Sequence, residues 1–240
     1  MIKYNRLPIG YQRLESITGD INLSFVDTGI PYSSDLKIEC ELEDNGWGSY
    51  AAYFGAYVNE QSPAFRLIYQ GSNNNGGYFT VGSIASSSVA VNGLTPSTKH
   101  HIVLDKTGIT LDGTFKANTS STSSASISNT ILIGRPNLPS SQPSSASSRL
   151  MTIYLFRIWD SGELVFEGIP CKRLSDNEIG LYDTVKKVLI LPYYDTGSFV
   201  AGQEDDNADT IKRRFVTNNA KVAQEAEKVY LGSSLMLDNS

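Results

Sequence analysis

The sequence contains few of the residues that build metal centres and disulfide frameworks. Its 240 residues include two cysteines and two histidines. His100 and His101 are neighbours, so on a strand their side chains point to opposite faces and cannot share a metal ion. Cys40 and Cys171 occupy inward positions of predicted strands, where a thiol usually behaves as a small buried hydrophobe. A disulfide between them stays an alternative, although two cysteines placed in this way predict one poorly.

Signals for cofactors, nucleic acid and membranes are also missing. The chain has no G-x-x-x-x-G-K-S/T, G-x-G-x-x-G or C-x-x-C motif. Its net charge is -5 with no basic block, whereas nucleic-acid binding needs clustered Lys and Arg to displace counterions. No stretch approaches the ~18 apolar residues of a membrane span. We therefore expect no cofactor, no metal, and neither nucleic acid nor membrane among the partners.

The clearest positive pattern is an alternation typical of β-strands. Leu36–Glu43 places four apolar residues on one face and Lys37 with three glutamates on the other, which predicts a half-buried antiparallel strand. Met151–Trp159 is apolar on both faces, which predicts an inner strand of a packed sheet. Strict alternation would put Met151, Ile153, Leu155 and Trp159 on one face, and Tyr154, Phe156 and Ile158 on the other.

Further strands are predicted between turns rich in Gly, Pro, Asn and Asp. They are Tyr50–Val58, Ala64–Gln70, Tyr78–Ile84, His101–Asp105, Ile109–Leu111, Thr114–Ala117, Ile127–Gly134, Glu163–Pro170, Glu178–Asp183, Lys187–Leu191 and Ser198–Ala201. Helical periodicity is almost absent before residue 203. The pattern predicts an antiparallel sandwich of about a dozen strands.

Several of these segments together resemble a known family. The strand that ends in Ile169-Pro170-Cys171-Lys172-Arg173 is followed by Ser175–Asp183 and then by Gly197–Gly202. Near the start, Tyr11–Ile17 is followed by Val26–Ile30. This order resembles concanavalin A-like, laminin-G-like jelly-roll domains of the variety found in phage and prophage virion proteins and gut-bacterial surface proteins. The resemblance implies an all-β, antiparallel two-sheet jelly-roll sandwich with a short C-terminal extension.

The composition changes after Gly202, which predicts a division of the chain into two parts. Residues 1–202 would form the concanavalin A-like sandwich, and residues 203–240 a linker and attachment segment. This segment is acidic at its start and apolar near its end, which favours docking on a neighbouring protein or on the sandwich itself. Its predicted attachment residues are Ile211, Phe215, Val222, Val229, Tyr230 and Leu231.

Three glutamates form the strongest candidate for catalysis. Glu39, Glu41 and Glu43 share one face of a predicted strand, and two carboxyl groups about 5–5.5 Å apart serve retaining glycosidases. Laminarinase-type glycosidases, built on the same jelly roll, use a similar E-x-D-x-E arrangement. In this chain the middle residue is Glu instead of Asp, and the motif lies on an early strand rather than a central one. We therefore predict a solvated strand face and no enzymatic activity.

Calcium is a second alternative, because several laminin-G-like domains bind it at a loop rim. Its candidate ligands here, Asp44, Asn45, Asp176 and Asn177, are ordinary turn formers, so we predict no metal site. A sugar site has more support, since Tyr and Trp offer an apolar face with a polar handle. Its predicted residues are Trp47, Tyr50, Tyr53, Tyr69, Asn73, Asn74 and Tyr78. Aromatic residues on strands are, however, more often core or cross-strand partners.

These features together predict a non-enzymatic structural or adhesion component of a bacteriophage virion, such as a capsid decoration, head-fibre or tail protein. Residues 1–16 lack the apolar segment of a secretory signal, so we expect assembly in a host cytoplasm. The expected partners are other virion proteins, bound through the C-terminal segment, and a host-surface glycan; self-association into a homo-oligomer is a further alternative. The other function that we retain is a glycan-binding module of a bacterial cell-surface protein.

Overall fold

The computed structural model describes residues 7–19, 24–45, 51–57, 63–69, 76–84, 88–118, 127–134, 151–193 and 197–205. All regular elements in these ranges are β-strands. They are β1 Tyr11–Arg13, β2 Ile17–Gly19, β3 Val26–Tyr32, β4 Leu36–Asp44, β5 Ala51–Ala56, β6 Pro63–Tyr69, β7 Gly76–Ile84, β8 Val89–Asn92, β9 Lys99–Asp105, β10 Gly108–Leu111, β11 Thr114–Asn118, β12 Ile127–Ile133, β13 Met151–Asp160, β14 Glu163–Arg173, β15 Ile179–Asp183, β16 Val188–Ile190 and β17 Phe199–Ala201. No helix in the described ranges is long and apolar enough to cross a membrane.

The strands form two antiparallel sheets, which confirms the predicted all-β jelly-roll sandwich. The larger sheet has eleven strands and the order β11-β10-β9-β4-β13-β14-β15-β16 along its main path. Off this path, β1 pairs with β14, and β2 pairs with both β13 and β17. The smaller sheet has six strands in the order β3-β12-β5-β6-β7-β8. Strand β4 is therefore an inner strand, with β9 on one side and β13 on the other.

The main core lies between the two sheets and is rich in aromatic rings. Phe54 and Phe65 come from the smaller sheet, whereas Phe156 and Phe166 come from the larger one, and all four are fully buried. Phe54 and Phe156 meet edge to face across the two sheets, with ring centroids 5.5 Å apart. Such pairs contribute about 0.5–1.5 kcal/mol beyond the burial of their area, and they hold the sheets face to face.

A β-bulge in β13 makes the predicted alternation of this strand wrong. The pairing of β13 with β4 shifts register between Ile153 and Leu155, so Tyr154 is an additional residue on the β13 side. An added residue reverses the side on which the following residues point. Ile153 and Phe156 are consequently both buried in the core, whereas Leu155 and Trp159 lie half-buried on the opposite side.

The larger sheet carries a second, smaller apolar cluster on its other face. Ile169 and Cys171 of β14 and Tyr182 of β15 are buried there together with Leu7. Cys40 belongs instead to the main core, and both cysteines are free thiols, so the disulfide alternative is excluded. Burial raises the pKa of Cys171 to about 12, and it raises the pKa of Cys40 as well. Both thiols therefore stay protonated at neutral pH and act as small core residues.

The chain remains hydrogen-bonded to the sandwich slightly beyond the predicted boundary at residue 202. The Glu15 amide donates to the Gln203 carbonyl at 2.8 Å, and Glu204 forms an antiparallel bridge with Leu14. The compact unit that contains the sandwich ends at Glu204. All six predicted attachment residues lie outside the described residues, so the division into a sandwich and an attachment segment stays a prediction.

The packing of the phenylalanines gives a stability prediction. Replacing fully buried Phe156 with Ala should lower the free energy of unfolding by about 3–5 kcal/mol, because the truncation leaves a cavity between the sheets. Phe115 of the edge strand β11 is 52% exposed, and its replacement by Ala should cost no more than about 0.5 kcal/mol. Denaturant unfolding of both variants measures the difference; equal losses would contradict the assignment of Phe156 to the core.

Candidate functional site: a polar face on the larger sheet

The three glutamates of β4 point away from the core at the middle of the larger sheet. Along β4 the buried residues alternate with half-buried ones, and Glu39, Glu41 and Glu43 are half-buried. The sequence-based expectation of an early strand rather than a central one is half right, because β4 is early in the chain but lies in the middle of the larger sheet. Strand β4 comes early in the chain, but β9 and β13 join it on either side much later in the sequence. The glutamates therefore face side chains from both neighbouring strands.

Strand β9 supplies basic partners for two of the glutamates. Glu39 Oε1 lies 3.1 Å from His101 Nε2. Glu41 Oε2 forms an ion pair with Lys99 Nζ. These four side chains are between 23% and 47% exposed, so the pairs are screened by water and each contributes little to stability. Their main effect is to fix the positions of the two carboxylates.

The bulge in β13 brings a tyrosine to the third glutamate. The Tyr154 hydroxyl donates to Glu43 Oε2 at 2.8 Å. Lys99 Nζ lies over the same ring, 4.3 Å from its centroid. Burial and the neighbouring Glu43 carboxylate raise the pKa of Tyr154 to about 12, so the hydroxyl remains a hydrogen-bond donor at all physiological pH values.

Hydroxyl and amide groups extend this arrangement at the end of β4. Asn45 Nδ2 donates to Thr152 Oγ1 at 2.6 Å, and Thr152 Oγ1 lies 2.8 Å from Thr18 Oγ1 of β2. We refer to these seven side chains together as the polar cluster: Thr18, Glu41, Glu43, Asn45, Lys99, Thr152 and Tyr154. They bring two carboxylates, an amide, three hydroxyls and an ammonium group onto one face of the sheet.

A buried carboxylate lies on the same face, further along β13 and β14. Arg157 Nε donates to Glu167 Oε1 at 2.9 Å, and the Thr184 hydroxyl donates to Glu167 Oε2. Glu167 is only 3% exposed, so these charge-assisted bonds replace the water that its carboxylate loses on burial. Lys37 Nζ lies 4.9 Å from the ring centroid of Trp159, at the far end of this face.

The sequence did not reveal a linked Thr95–His100–Asp112 group. His100 is almost fully buried and accepts a hydrogen bond from the Thr95 amide at Nε2, at 3.0 Å. Its Nδ1 therefore carries the proton and donates to Asp112 Oδ2 at 2.8 Å. The Thr95 hydroxyl is 3.2 Å from Nε2, so the order resembles that of a nucleophilic triad.

The Thr95 amide already occupies the Nε2 lone pair of His100, so the imidazole cannot accept a proton from the Thr95 hydroxyl. The three residues instead hold the backbone in place. Asp112 Oδ1 also accepts from the His101 amide at 2.9 Å, which ties the turn between β10 and β11 to β9. Partial burial of Asp112 opposes ionisation, but the hydrogen bonds from His100 and from the His101 amide outweigh it and lower the pKa of the carboxyl. An Asp-Gly turn near two histidines is the sequence signal that could have suggested the contact.

The predicted sugar residues do not come together as one described site. Trp47, Tyr50, Asn73 and Asn74 lie outside the described residues, as does the Tyr69 side chain. Tyr78 is half-buried on β7. Tyr53 is fully buried in the main core, so its ring cannot stack on a sugar at the surface and it is removed from the site. The predicted location of its ring was wrong because an aromatic residue on a strand fits a core equally well.

Two of the four calcium candidates, Asp176 and Asn45, are engaged in side-chain hydrogen bonds within the protein. Arg173 Nε donates to both carboxylate oxygens of Asp176 at 3.0 Å, while Asn45 donates to Thr152. Within the part of the chain that the structure describes, no group of three or more His, Cys, Asp or Glu side chains is arranged to hold a metal ion.

Comparison with known proteins assigns no activity or ligand to this polar face. No protein-family model and no curated protein sequence matches the chain. It is similar to the native heptameric SAP-like pentraxin from Limulus polyphemus, with a TM-score of 0.45 and 10% identity over 79% of this chain and 90% of the pentraxin. It is also similar to Scytalido-glutamic peptidase, with a TM-score of 0.36 and 13% identity over 77% of this chain and 100% of the peptidase. Both likenesses are too low to indicate a shared site or activity.

The contact between His100 and Asp112 predicts an acid-dependent stability difference. Asp112→Asn should lower the free energy of unfolding by about 1 kcal/mol at neutral pH, since an amide cannot accept from both His100 and the His101 amide. The lowered pKa of Asp112 means that its contribution is present above about pH 4 and is lost as the pH falls through its folded value. Unfolding curves of parent and variant should therefore converge on acidification; a constant difference would contradict the contact.

The contact between Tyr154 and Glu43 predicts a change in alkaline titration. In Glu43→Gln the pKa of Tyr154 should fall from about 12 but stay above the ordinary value of about 10, because burial contributes more than the carboxylate. The stability contribution of the raised pKa is present below about pH 10 and is lost as the pH rises towards the folded value. Tyrosinate absorbance, with Tyr154→Phe as the blank, measures the pKa; no change on removing Glu43 would contradict the hydrogen bond.

Proposed function

We propose that the protein is a non-enzymatic binding and display module, and that it serves as a structural or adhesion component of a bacteriophage virion. The observation that carries the binding role is the polar face on the central strand of the larger sheet. Glu39, Glu41 and Glu43 are each held there by a partner side chain from β9 or β13. Fixed donors and acceptors on a rigid sheet favour recognition of a ligand, since little side-chain entropy is lost on binding.

The same contacts argue against the glycosidase alternative. A general acid and a nucleophile must reach the bond that breaks, and their carboxyl groups must be available to it. Here Glu43 is oriented by its hydrogen bond from Tyr154, and Glu41 by its ion pair with Lys99, so each carboxylate is turned towards a neighbouring side chain of the face. Glu167, the most buried carboxylate of this face, is held by Arg157 and Thr184. These carboxylates are placed to support the face and to accept hydrogen bonds.

The virion role is supported by the sequence resemblance and by the organisation of the chain. The motifs Ile169–Arg173 and Ser175–Asp183 resemble those of jelly-roll domains in phage and prophage virion proteins. They fall in β14, in the turn after it and in β15. In this proposal the sandwich faces outward and residues 203–240 attach it to other virion proteins. Assembly would take place in the host cytoplasm, with a homo-oligomer as an alternative arrangement.

A glycan-binding module of a bacterial cell-surface protein is the second candidate function. The specific observation that favours it is the polar cluster, whose combination of carboxylate, amide, hydroxyl and aromatic groups suits a polyhydroxylated ligand. The two candidates differ in location and not in the chemistry of the face.

Particle incorporation tests the virion proposal. In host cells that produce the phage, full-length protein should copurify with particles and be labelled on them by antibodies to the sandwich. A variant that ends at Glu204 should fold but be lost from particles, because it lacks the proposed attachment segment. Tyr193→Phe serves as the control: it changes a residue outside the proposed attachment segment, and the variant should incorporate normally. Absence of the full-length protein from particles, with its recovery on the bacterial surface, would favour the second candidate; incorporation of the truncated chain would overturn the attachment role.

A further inference from the structure

We infer that the polar cluster is a binding site for a neutral oligosaccharide; this inference rests on the proposed non-enzymatic binding role and specifies its ligand. The cluster lies where β4 leaves the sheet, and its members come from β2, β4, β9 and β13 and the residue that follows β4. Four strands that are distant in sequence thus converge on one patch.

The location of the cluster excludes recognition by strand addition. A peptide that adds to a sheet needs a strand edge with free backbone donors and acceptors. Strand β4 is paired over most of its length with β9 and with β13, so its backbone groups are used within the sheet. A ligand on this face must therefore be recognised by side chains, which here supply hydrogen-bond groups at close spacing.

The groups present retain the capacity to bond a ligand. A carboxylate has about four acceptor positions, and an ammonium group has three donors. Glu43 Oε2 takes the Tyr154 proton, and Lys99 Nζ is paired with Glu41, which uses only part of this capacity. Lys99 and Glu41 are respectively 47% and 32% exposed, so a ligand can reach them. Sugar hydroxyls both donate and accept, and they match such a mixed set.

The charge of the cluster decides the class of sugar. Two carboxylates and one ammonium group give it a formal net charge of one negative unit. Glu39 adds a further carboxylate beside the cluster, next to His101. Phosphate, sulfate and uronic-acid groups would be repelled, which is a common source of selectivity. The geometry therefore points to uncharged or N-acetylated hexose chains, and against acidic polysaccharides and nucleic acid.

Binding to immobilised and dissolved oligosaccharides tests this inference on the full chain. The probes are an array of neutral, N-acetylated and acidic bacterial oligosaccharides, followed by calorimetry with the best neutral binder. Tyr154→Phe and Glu43→Gln should each weaken binding about tenfold, as expected for loss of one hydrogen bond to a charged group. Because the two residues contact each other, the double variant should weaken binding by less than the product of the single effects.

Two matched controls keep the test specific. Tyr193→Phe changes an exposed tyrosine that stacks on Phe25, and Glu163→Gln changes an exposed glutamate at the start of β14. Both should bind as the parent does, and all variants should keep the parent's thermal unfolding midpoint to within a few degrees. Weaker oligosaccharide binding by the cluster variants, with unchanged binding by the two controls, supports the site.

The outcomes that would contradict the sugar site differ from those that would contradict the proposed function. No binding by the parent, equal binding by the cluster variants, or a preference for acidic oligosaccharides would each overturn the inference. The virion proposal would then still stand on particle incorporation. Release of shortened sugar products by the parent, lost in Glu43→Gln, would instead overturn the non-enzymatic role while leaving the cluster as the site.

Discussion

The structure depends on the pairing of β4 with β13 at the centre of the larger sheet. These two strands lie nearly 110 residues apart in sequence and share nine pairs of facing residues, from Met151 and Asp44 to Asp160 and Leu36. Their inner faces supply Leu36, Ile38, Phe156 and Ile158 to the core. Strand β9 pairs with β4 and β14 pairs with β13, and the opposite faces of β4 and β13 carry the polar cluster beside the half-buried Leu155 and Trp159.

The bulge at Tyr154 shows how a local irregularity shapes that surface. One additional residue in β13 keeps Ile153 and Phe156 in the core and leaves Tyr154 next to Glu43. In a regular strand Ile153 and Phe156 would point to opposite faces of the sheet, so only one of them could lie in the core. The side chains that this arrangement gathers are held by ion pairs and hydrogen bonds to each other. A face of this kind is suited to hold a ligand in place. We propose that the protein uses it for adhesion, as a component of a virion.

The sequence predicted the class of fold and the main strands because alternation and turn residues report directly on burial. Leu36–Glu43 and Glu163–Pro170 are strands, as expected. The three-residue strands β1 and β2 are too short to show a period of two, and they were not predicted as separate strands. The polar cluster could not be predicted, because strand order decides which side chains meet. His101 meets Glu39, and Tyr154 meets Glu43, only through pairings across 62 and 111 residues of sequence.

We propose that the outward face of β4 is the binding surface of the protein. Mapping of backbone amide shifts by NMR, during titration with the best neutral oligosaccharide, tests this claim directly. The largest changes should occur at residues 41–45, at Lys99 and His101, and at Thr152 and Tyr154. Changes confined to residues outside this face, with β4 and its two neighbours unaffected, would contradict it.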